Sequence, residues 1–261
     1  MIEQSIIFFD IDGTLLTQDK KLPTSAKDAI YKLKERGHEV GIATGRAPFM
    51  FEDLRKELDI NTYISYNGQY VVLDGEVLYT NPLNLTLIKK LTETALSNHH
   101  PVVYMDHEDM KSNVPEHSYI KDSFELLKLD SPTYDPHYYH GRELYQTLLF
   151  CPDGEEKQYE QRFTDLDFVR ALQFSVDVIP KGGSKAKGIE KIIDKLGFPE
   201  ECQYAFGDGL NDIEMLSTIK NSVAMGNAEE KVRGAAKYVT KSVEDNGIYY
   251  GLQMVGLILV R

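Results

Sequence analysis

Apolar residues open the chain as a short run, Ile6-Ile7-Phe8-Phe9, cut off by Asp10, and then recur at Ala26, Ala29, Ile30 and Leu33, the i, i+3, i+4, i+7 spacing of one helix face. The run predicts a buried strand from Ser5 to Phe9 and the spacing predicts an amphipathic helix. Thr24 and Ser25, just after Pro23, offer N-cap oxygens; Gly37 closes the helix, and Glu39 to Ala43 supplies a second strand. Strand, crossover helix and strand at this spacing imply parallel pairing with a right-handed connection, hence an open sheet with helices on both faces. Tyr63 to Ser65 extends it as a third strand, and Asp74-Gly75 between Tyr70-Val71-Val72-Leu73 and Val77-Leu78-Tyr79 signals a two-residue hairpin.

The last quarter repeats this grammar. Ile189, Ile192, Ile193 and Leu196 form a helical stripe ended by Gly197 and Pro199; Gln203 to Phe206, Asn221 to Met225 and Tyr238 to Thr240 read as strands, with helices around Asp212 to Thr218 and Glu229 to Ala236. Both ends of the chain therefore belong to one sheet. The texture changes between them: one helix (Leu87, Ile88, Leu91, Ala95), strands near Val102 to Met105, Leu144 to Cys151 and Phe168 to Ile179, and a polar interval, 106–142, within which Ser118 to Leu129 reads as a hidden helix. The expected class is α/β, a doubly wound parallel-sheet core in two parts, residues 1–81 and 185–261, around an inserted α/β domain, residues 82–184.

Composition narrows the function. Lys and Arg number 29 against 41 Asp and Glu, a net charge of −12 that disfavours sequence-independent binding to nucleic acid or to anionic membrane. At 42% hydrophobic and 27% charged residues over 261 positions, the chain can bury a real core. Its two cysteines, Cys151 and Cys202, fit neither a disulfide framework nor a zinc knuckle and are expected as free thiols. The opening run and the closing stretch Val255 to Val260 are both far short of the about 20 residues a membrane helix needs, so a cytoplasmic protein is expected, its closing stretch a buried final helix or strand.

The chemistry gathers at strand ends. Asp10-Ile11-Asp12-Gly13-Thr14 follows the first strand, with two carboxylates at the strand's side-chain period and a glycine that frees the turn. Ala43-Thr44-Gly45-Arg46 ends the second strand with a hydroxyl and a flexible backbone N–H, a corner suited to a phosphate oxygen. Gly207-Asp208-Gly209-Leu210-Asn211-Asp212 adds two more carboxylates where another strand turns into a helix. Open α/β sheets bind ligands beyond the carboxyl ends of their strands, so these segments converge on one crevice. Four acids there would repel one another and raise their pKa values unless a divalent cation neutralised them; the all-oxygen set implies Mg²⁺, which takes one or two carboxylates, several waters and substrate phosphate. A lysine is needed as counter-charge, and Lys181, Lys185 and Lys187 are rivals on spacing alone.

The ordered set D-I-D-G-T, A-T-G-R, S-K-A-K-G and G-D-G-L-N-D resembles that of the haloacid dehalogenase-like hydrolases, specifically the Cof-type phosphatases, over essentially the whole chain. The resemblance implies a Rossmann-like core carrying a large α/β cap. It also implies Asp10 as a nucleophile forming an aspartyl-phosphate and Asp12 as the acid/base, with a pKa tuned near the working pH. Mg²⁺ would be held by Asp10, the main-chain carbonyl of Asp12 and Asp208, with Asp212 behind them. Ile11, Thr44, Gly45, Asn211 and Lys185 would hold phosphate oxygens, Lys185 being the resemblance's choice among the three lysines. Arg46, Asn67 and Gly68 would border the substrate; where family members often have alanine after that glycine, this chain has Gln69.

The implied activity is hydrolysis of phosphomonoesters of small metabolites, whether sugar phosphate, nucleotide or cofactor phosphate, with selectivity set by the cap. Six of the seven histidines lie between positions 99 and 140 beside several tyrosines, where aromatic packing is the default and His137 and His140 lack a metal-binding spacing. A non-catalytic aspartyl phospho-acceptor is the first alternative, disfavoured because Asp12 looks arranged to hydrolyse the acyl phosphate. A nucleotide-binding oxidoreductase is excluded because D-x-D-G-T stands where G-x-G-x-x-G would cradle pyrophosphate. A phosphomutase remains, since an aspartyl-phosphate can pass its phosphoryl group to a hydroxyl instead of water.

Overall fold

The computed structural model describes residues 4–127 and 129–259. Two compact units emerge, one formed by Met1–Arg46, Phe51–Tyr79 and Ser184–Arg261, the other by Ala47–Met50 and Thr80–Gly183. The first opens with β1 (Ile6–Phe9), α1 (Thr24–Glu35), β2 (Glu39–Ala43), α2 (Glu52–Glu57), β3 (Thr62–Ser65), β4 (Tyr70–Leu73) and β5 (Glu76–Thr80). The second holds α3 (Leu85–Ser97), β6 (Val102–Met105), β7 (Met110–Ser112), α4 (Ser118–Leu127), β8 (Thr133–Tyr134), β9 (Gln146–Phe150), α5 (Lys157–Arg162), β10 (Leu166–Arg170) and β11 (Ser175–Pro180). The first then closes with α6 (Lys185–Leu196), β12 (Gln203–Gly207), α7 (Ile213–Thr218), β13 (Asn221–Ala224), α8 (Glu230–Arg233), β14 (Tyr238–Val239) and α9 (Gly247–Met254).

The core sheet runs β14-β13-β12-β1-β2-β3-β4-β5, parallel from β14 through β3, with β4 antiparallel to β3. β1 lies at its centre, all four residues buried, because a strand covered on both faces tolerates no alternation. Ile6 and Phe8 pack with Ile189 and Ile192 of α6 and Met215 and Leu216 of α7. On the opposite face Phe9 stacks on Phe206 at 5.0 Å, and α9 closes on that ring so tightly that a Cβ on Gly251 would lie 2.5 Å from it. The β4–β5 turn has Asp74 at φ 51° and Gly75 at φ 83°, the pair of positive values that a type I′ turn requires.

The inserted sheet runs β10-β11-β9-β6-β7-β8, antiparallel except for β7 with β8. One face buries Val102, Tyr104, Leu149, Val176 and Val178 against Ile88, Leu91 and Ala95 of α3 and Tyr159 of α5. On the other, Phe124 of α4 meets Phe150 at 6.5 Å.

Several expectations change. The strand expected over Phe168 to Ile179 is two antiparallel strands, joined where Ala171 and Leu172 donate to the Ser175 carbonyl at 2.9 and 3.1 Å, a turn that lacks glycine, proline, asparagine or aspartate. The polar interval holds β7 and β8 as well as α4, and Lys128 of the expected helix lies outside the described residues. Neither Thr24 nor Ser25 caps α1: Pro23 holds that position, and the Ser25 hydroxyl donates instead to Asn246 Oδ1 at 2.6 Å. α9 stops at Met254, and the closing stretch is neither helix nor strand: Leu257 and Ile258 are buried in irregular backbone, while Val260 lies outside the described residues. Among the described residues no helix is long and apolar enough to cross a membrane.

Candidate active site

The register aligns Phe9 of β1 with Phe206 of β12 on one side and Ile42 of β2 on the other, so the three segments after these strands emerge at one edge of the sheet. The Asp10 N–H continues the ladder to the Phe206 carbonyl at 2.9 Å, after which the chain folds back, with Gly13 and Leu16 N–H groups donating to Leu16 and Ile11 carbonyls at 2.9 and 2.8 Å. Gly13 sits at φ +80°, and a Cβ there would lie 2.1 Å from Asp208 Oδ2. Its bare α-carbon is what lets the first loop touch the carboxylate at the end of β12. Ile11 is fully buried, leaving only its main chain able to face a ligand.

The centre of the site is a buried ionic triad. Lys185 Nζ donates to Asp10 Oδ1 and to Asp212 Oδ1, each at 2.5 Å, with Lys185 and Asp212 wholly inaccessible and Asp10 nearly so. Lys185 opens α6, whose N-cap Ser184 accepts from the Lys187 N–H at 3.3 Å. Lys187 itself is exposed, and Lys181 donates to the Thr164 carbonyl in the inserted unit. The second Asp212 oxygen accepts the N–H groups of Asp208 and Gly209, both at 2.9 Å, so Asp212 ties the turn after β12 to Lys185. Asp208 accepts from the Thr14 hydroxyl at 2.8 Å and from Asn227 Nδ2 at 3.0 Å.

Electrostatics follow from this crowding. Burial pushes the Asp10 carboxyl up to about 8, with Lys185 opposing and Asp212 and Asp208 adding to the rise. Burial likewise lifts Asp208 to about 6, helped by Asp212 and Asp12 and opposed by Thr14 and Lys185. For Lys185, burial alone would lower the pKa, but Asp10 and Asp212 outweigh it and hold the ammonium charged. Among the described residues Asp10, Asp208 and Asp212 form a group able to bring three ligand oxygens within 4.8 Å of one another. These three are the carboxylates able to hold a hard divalent cation.

Asp12 is held differently. Arg46 chelates it, Nε to Oδ2 at 2.7 Å and Nη2 to Oδ1 at 2.5 Å, and Lys20 Nζ adds a contact to Oδ1 at 2.6 Å. Burial would raise this carboxyl, but the two cations win and hold it below the usual range, not near neutrality as its expected acid/base role suggested. Arg46, expected at the substrate edge, spends its guanidinium on Asp12. Thr44 is buried, its hydroxyl accepting from the Arg46 N–H at 3.1 Å and its carbonyl from the Asn67 N–H at 3.1 Å. Asn67, left-handed at φ 51°, accepts from Asn211 Nδ2 at 3.1 Å and closes over Gly45, where a Cβ would come within 3.1 Å of its amide. Gly68, at φ +98°, presses on the start of α6, since a Cβ there would stand 2.1 Å from the Ser184 carbonyl oxygen.

Asn227 is one of two residues that the sequence reading missed. Its Nδ2 donates to the Gly13 carbonyl and to Asp208 Oδ2, both at 3.0 Å, while its Oδ1 accepts the Val243 N–H at 3.0 Å. The signal was present: Gly226-Asn227 follows β13, another parallel strand ending at the same sheet edge. Lys20 was likewise unmarked, being an ordinary surface lysine in sequence.

Comparison with known proteins gives the family. The family model of the haloacid dehalogenase-like hydrolases matches residues 7–252. YkrA of Bacillus subtilis (strain 168), named as a candidate phosphatase, is 44% identical over 257 residues, covering 98% of this chain and 100% of its own. A hypothetical protein from Geobacillus kaustophilus HTA426 has a solved structure 51% identical at a TM-score of 0.95, with 98% of this chain and 100% of that one covered. The sugar phosphatase BT4131, of subclass IIB in the same superfamily, is 30% identical at a TM-score of 0.84, with 98% and 100% covered. The chain belongs to the haloacid dehalogenase-like hydrolases and, within them, to the Cof-type phosphatases.

Proposed function

We propose that this phosphatase is a Mg²⁺-dependent enzyme that hydrolyses phosphomonoesters of small metabolites through an aspartyl-phosphate on Asp10. The observation that carries the reading is the buried triad, an aspartate held by a charged lysine at a strand's carboxyl end beside a second acid, Asp208. Mg²⁺ would be held by the Asp10 and Asp208 carboxylates and the Asp12 main-chain carbonyl, and when bound it neutralises charge on the phosphoryl oxygens. Lys185 does the same from the protein side while aiming Asp10 Oδ1.

An Asp10 oxygen attacks phosphorus and the bond to the ester oxygen breaks, with Asp12 giving its proton to the departing alkoxide. Asp12, now a carboxylate, takes a proton from water, whose oxygen attacks the same phosphorus; the bond to Asp10 breaks and inorganic phosphate leaves. The Arg46 and Lys20 contacts favour the carboxylate form needed in the second step, so Asp12 leaves them to act as the acid in the first. Thr44, Gly45, Asn211, Lys185 and the Ile11 main chain hold the phosphoryl oxygens, and most of the rate comes from positioning and charge neutralisation.

The test is phosphate release from p-nitrophenyl phosphate and a panel of phosphorylated metabolites, with Mg²⁺ or EDTA, for wild type and Asp10→Asn. Turnover requiring both the metal and Asp10 is expected. Release that survives Asp10→Asn would overturn the reading, as would transfer of the phosphoryl group to a second hydroxyl with no free phosphate formed.

A further inference from the structure

The loop after β3 runs left-handed for three residues in succession, Tyr66 at φ 52°, Asn67 at φ 51° and Gly68 at φ 98°. Glycine takes such values freely; a fully buried tyrosine does not, and a turn of this kind persists only where its surroundings over-determine it. Here the surroundings are the phosphate-binding segments of the same unit. The Tyr66 and Asn67 N–H groups donate to the Arg46 and Thr44 carbonyls at 3.2 and 3.1 Å. Gln69, 1% exposed, donates from Nε2 to the Asn67 carbonyl at 3.4 Å, and Gly68 lies against Ser184, the N-cap of the helix that Lys185 opens. At the tip, Asn67 Oδ1 accepts from Asn211 Nδ2 at 3.1 Å. A right-handed residue 67 would send its Cβ in another direction, so the strained backbone and the bond to Asn211 are one feature.

That bond decides what Asn211 can offer. An asparagine side chain has a donor end and an acceptor end, whereas a phosphate dianion only accepts. Asn211 is exposed, and among the described residues its amide has one hydrogen-bond partner, Asn67. Its Oδ1 lies over Gly209, where a Cβ would stand 2.5 Å away, and its Nδ2 is the end turned to Asn67. One Nδ2 hydrogen goes to Asn67 and the second is left for a phosphoryl oxygen. With Asn67 Oδ1 in place, a flipped Asn211 would set two oxygens against each other and present a lone pair to the phosphate.

We propose that Asn67 is a positioning residue: fixed in the left-handed turn, it orients the Asn211 amide so that an N–H meets the phosphoryl group, and it does not itself touch the substrate, contrary to the border position that the family resemblance implies. The role rests on the phosphatase reading above.

The test is a double-variant cycle of Asn67→Gly, Asn211→Ala and their combination in Mg²⁺. It is read as kcat/KM for p-nitrophenyl phosphate, glycerol 3-phosphate and glucose 6-phosphate and, independently of turnover, as calorimetric affinity for inorganic phosphate. Glycine relieves the left-handed backbone, and the bond it removes is replaceable by water, so Asn67→Gly should melt within about 2 °C of wild type. Asn67→Ala keeps a Cβ in that conformation and should melt lower, with the same loss of activity. Orientation worth one hydrogen bond corresponds to about tenfold in rate, so Asn67→Gly should lower kcat/KM about tenfold, equally on every ester the wild type hydrolyses. Phosphate binding should weaken in step, and nothing further should be lost once Asn211 is alanine. A loss that multiplies with that of Asn211→Ala, or that differs among esters, shows Asn67 touching the substrate and overturns the proposal, as does an unchanged phosphate affinity. A melting loss in Asn67→Gly as large as in Asn67→Ala marks the residue as structural and overturns it too. Absence of Asp10-dependent release from p-nitrophenyl phosphate in wild type overturns the phosphatase reading, and this role with it.

Discussion

Lys185→Met puts the buried triad to a quantitative test. The wild-type ammonium is fully inaccessible and touches two carboxylates at 2.5 Å. Removing it leaves Asp212 partly compensated by its two main-chain N–H donors, whereas Asp10 loses its cationic partner inside the fold. Breaking a buried pair from one side costs about 3–5 kcal/mol, and at roughly 2–4 °C per kcal/mol for a chain of this size the melting temperature should fall by roughly 6–20 °C. Melting should be followed in EDTA and without phosphate, so that no bound ligand contributes to stability. Lys187→Met, the same change on the exposed face of α6, should stay within about 0.5 kcal/mol of wild type. The double variant Lys185→Met with Asp212→Asn should lose less than the sum of the two single losses, because the second change removes a charge that the first left stranded. A Lys185→Met melt within about 2 °C of wild type, or strict additivity in the double variant, would refute the account of the triad.

Gly68→Ala places a Cβ 2.1 Å from the Ser184 carbonyl at φ +98°, whereas Gly75→Ala meets open space at φ +83°. Urea unfolding should therefore show about 1 kcal/mol lost at Gly75 and at least about 2 kcal/mol at Gly68, with turnover reduced only in the latter; equal losses would show that the close approach to α6 does not matter. Asn227→Ala should weaken Mg²⁺ binding about 10- to 100-fold by calorimetry, since it frees Asp208 from its clamp, and an unchanged affinity would refute that role. In the cap, burial would raise the Asp106 pKa, but the N–H groups of Glu108 and Asp109, the Tyr138 hydroxyl and Arg142 outweigh it and hold it low. Its contribution is thus present above the unfolded value of 3.8 and lost as pH falls through the lower folded value, so the stability gap between wild type and Asp106→Asn should be open at neutral pH and narrow as pH falls below 3.8.

The core was readable because its strands are covered on both faces. IIFF in β1 is an unbroken apolar run, the fully buried TYIS of β3 keeps Tyr63 and Ile64 at its centre, and each ends in a turn whose residues are chemically marked. The inserted unit was less readable. α5 is six residues with only Tyr159 buried, too short for a period to appear, and the β10–β11 turn is built from Ala171-Leu172-Gln173-Phe174 with no turn-forming side chain. Polar contacts that span distant segments, such as Arg46 with Asp12 or Asn227 with Asp208, leave no local trace, since the residues meet only once the sheet has formed.

The choice among the lysines shows where more could have been read. Lys185, Ile189 and Ile192 stand at i, i+4 and i+7, so Lys185 lies on the buried stripe of α6, while Lys187 falls on the opposite side. A lysine on an apolar stripe conflicts with its own helix, and such a conflict persists only where something compensates the buried charge. The acids after β1 and β12 were the candidates for that compensation, and Asp10 and Asp212 supply it. The close packing that Gly68 allows against Ser184, and that Gly188 allows against Ile64, brings the first turn of α6 down onto β3 and its loop. Replacing either glycine should therefore disturb the lysine's partners before it disturbs the sheet, because the triad depends on the depth at which α6 begins.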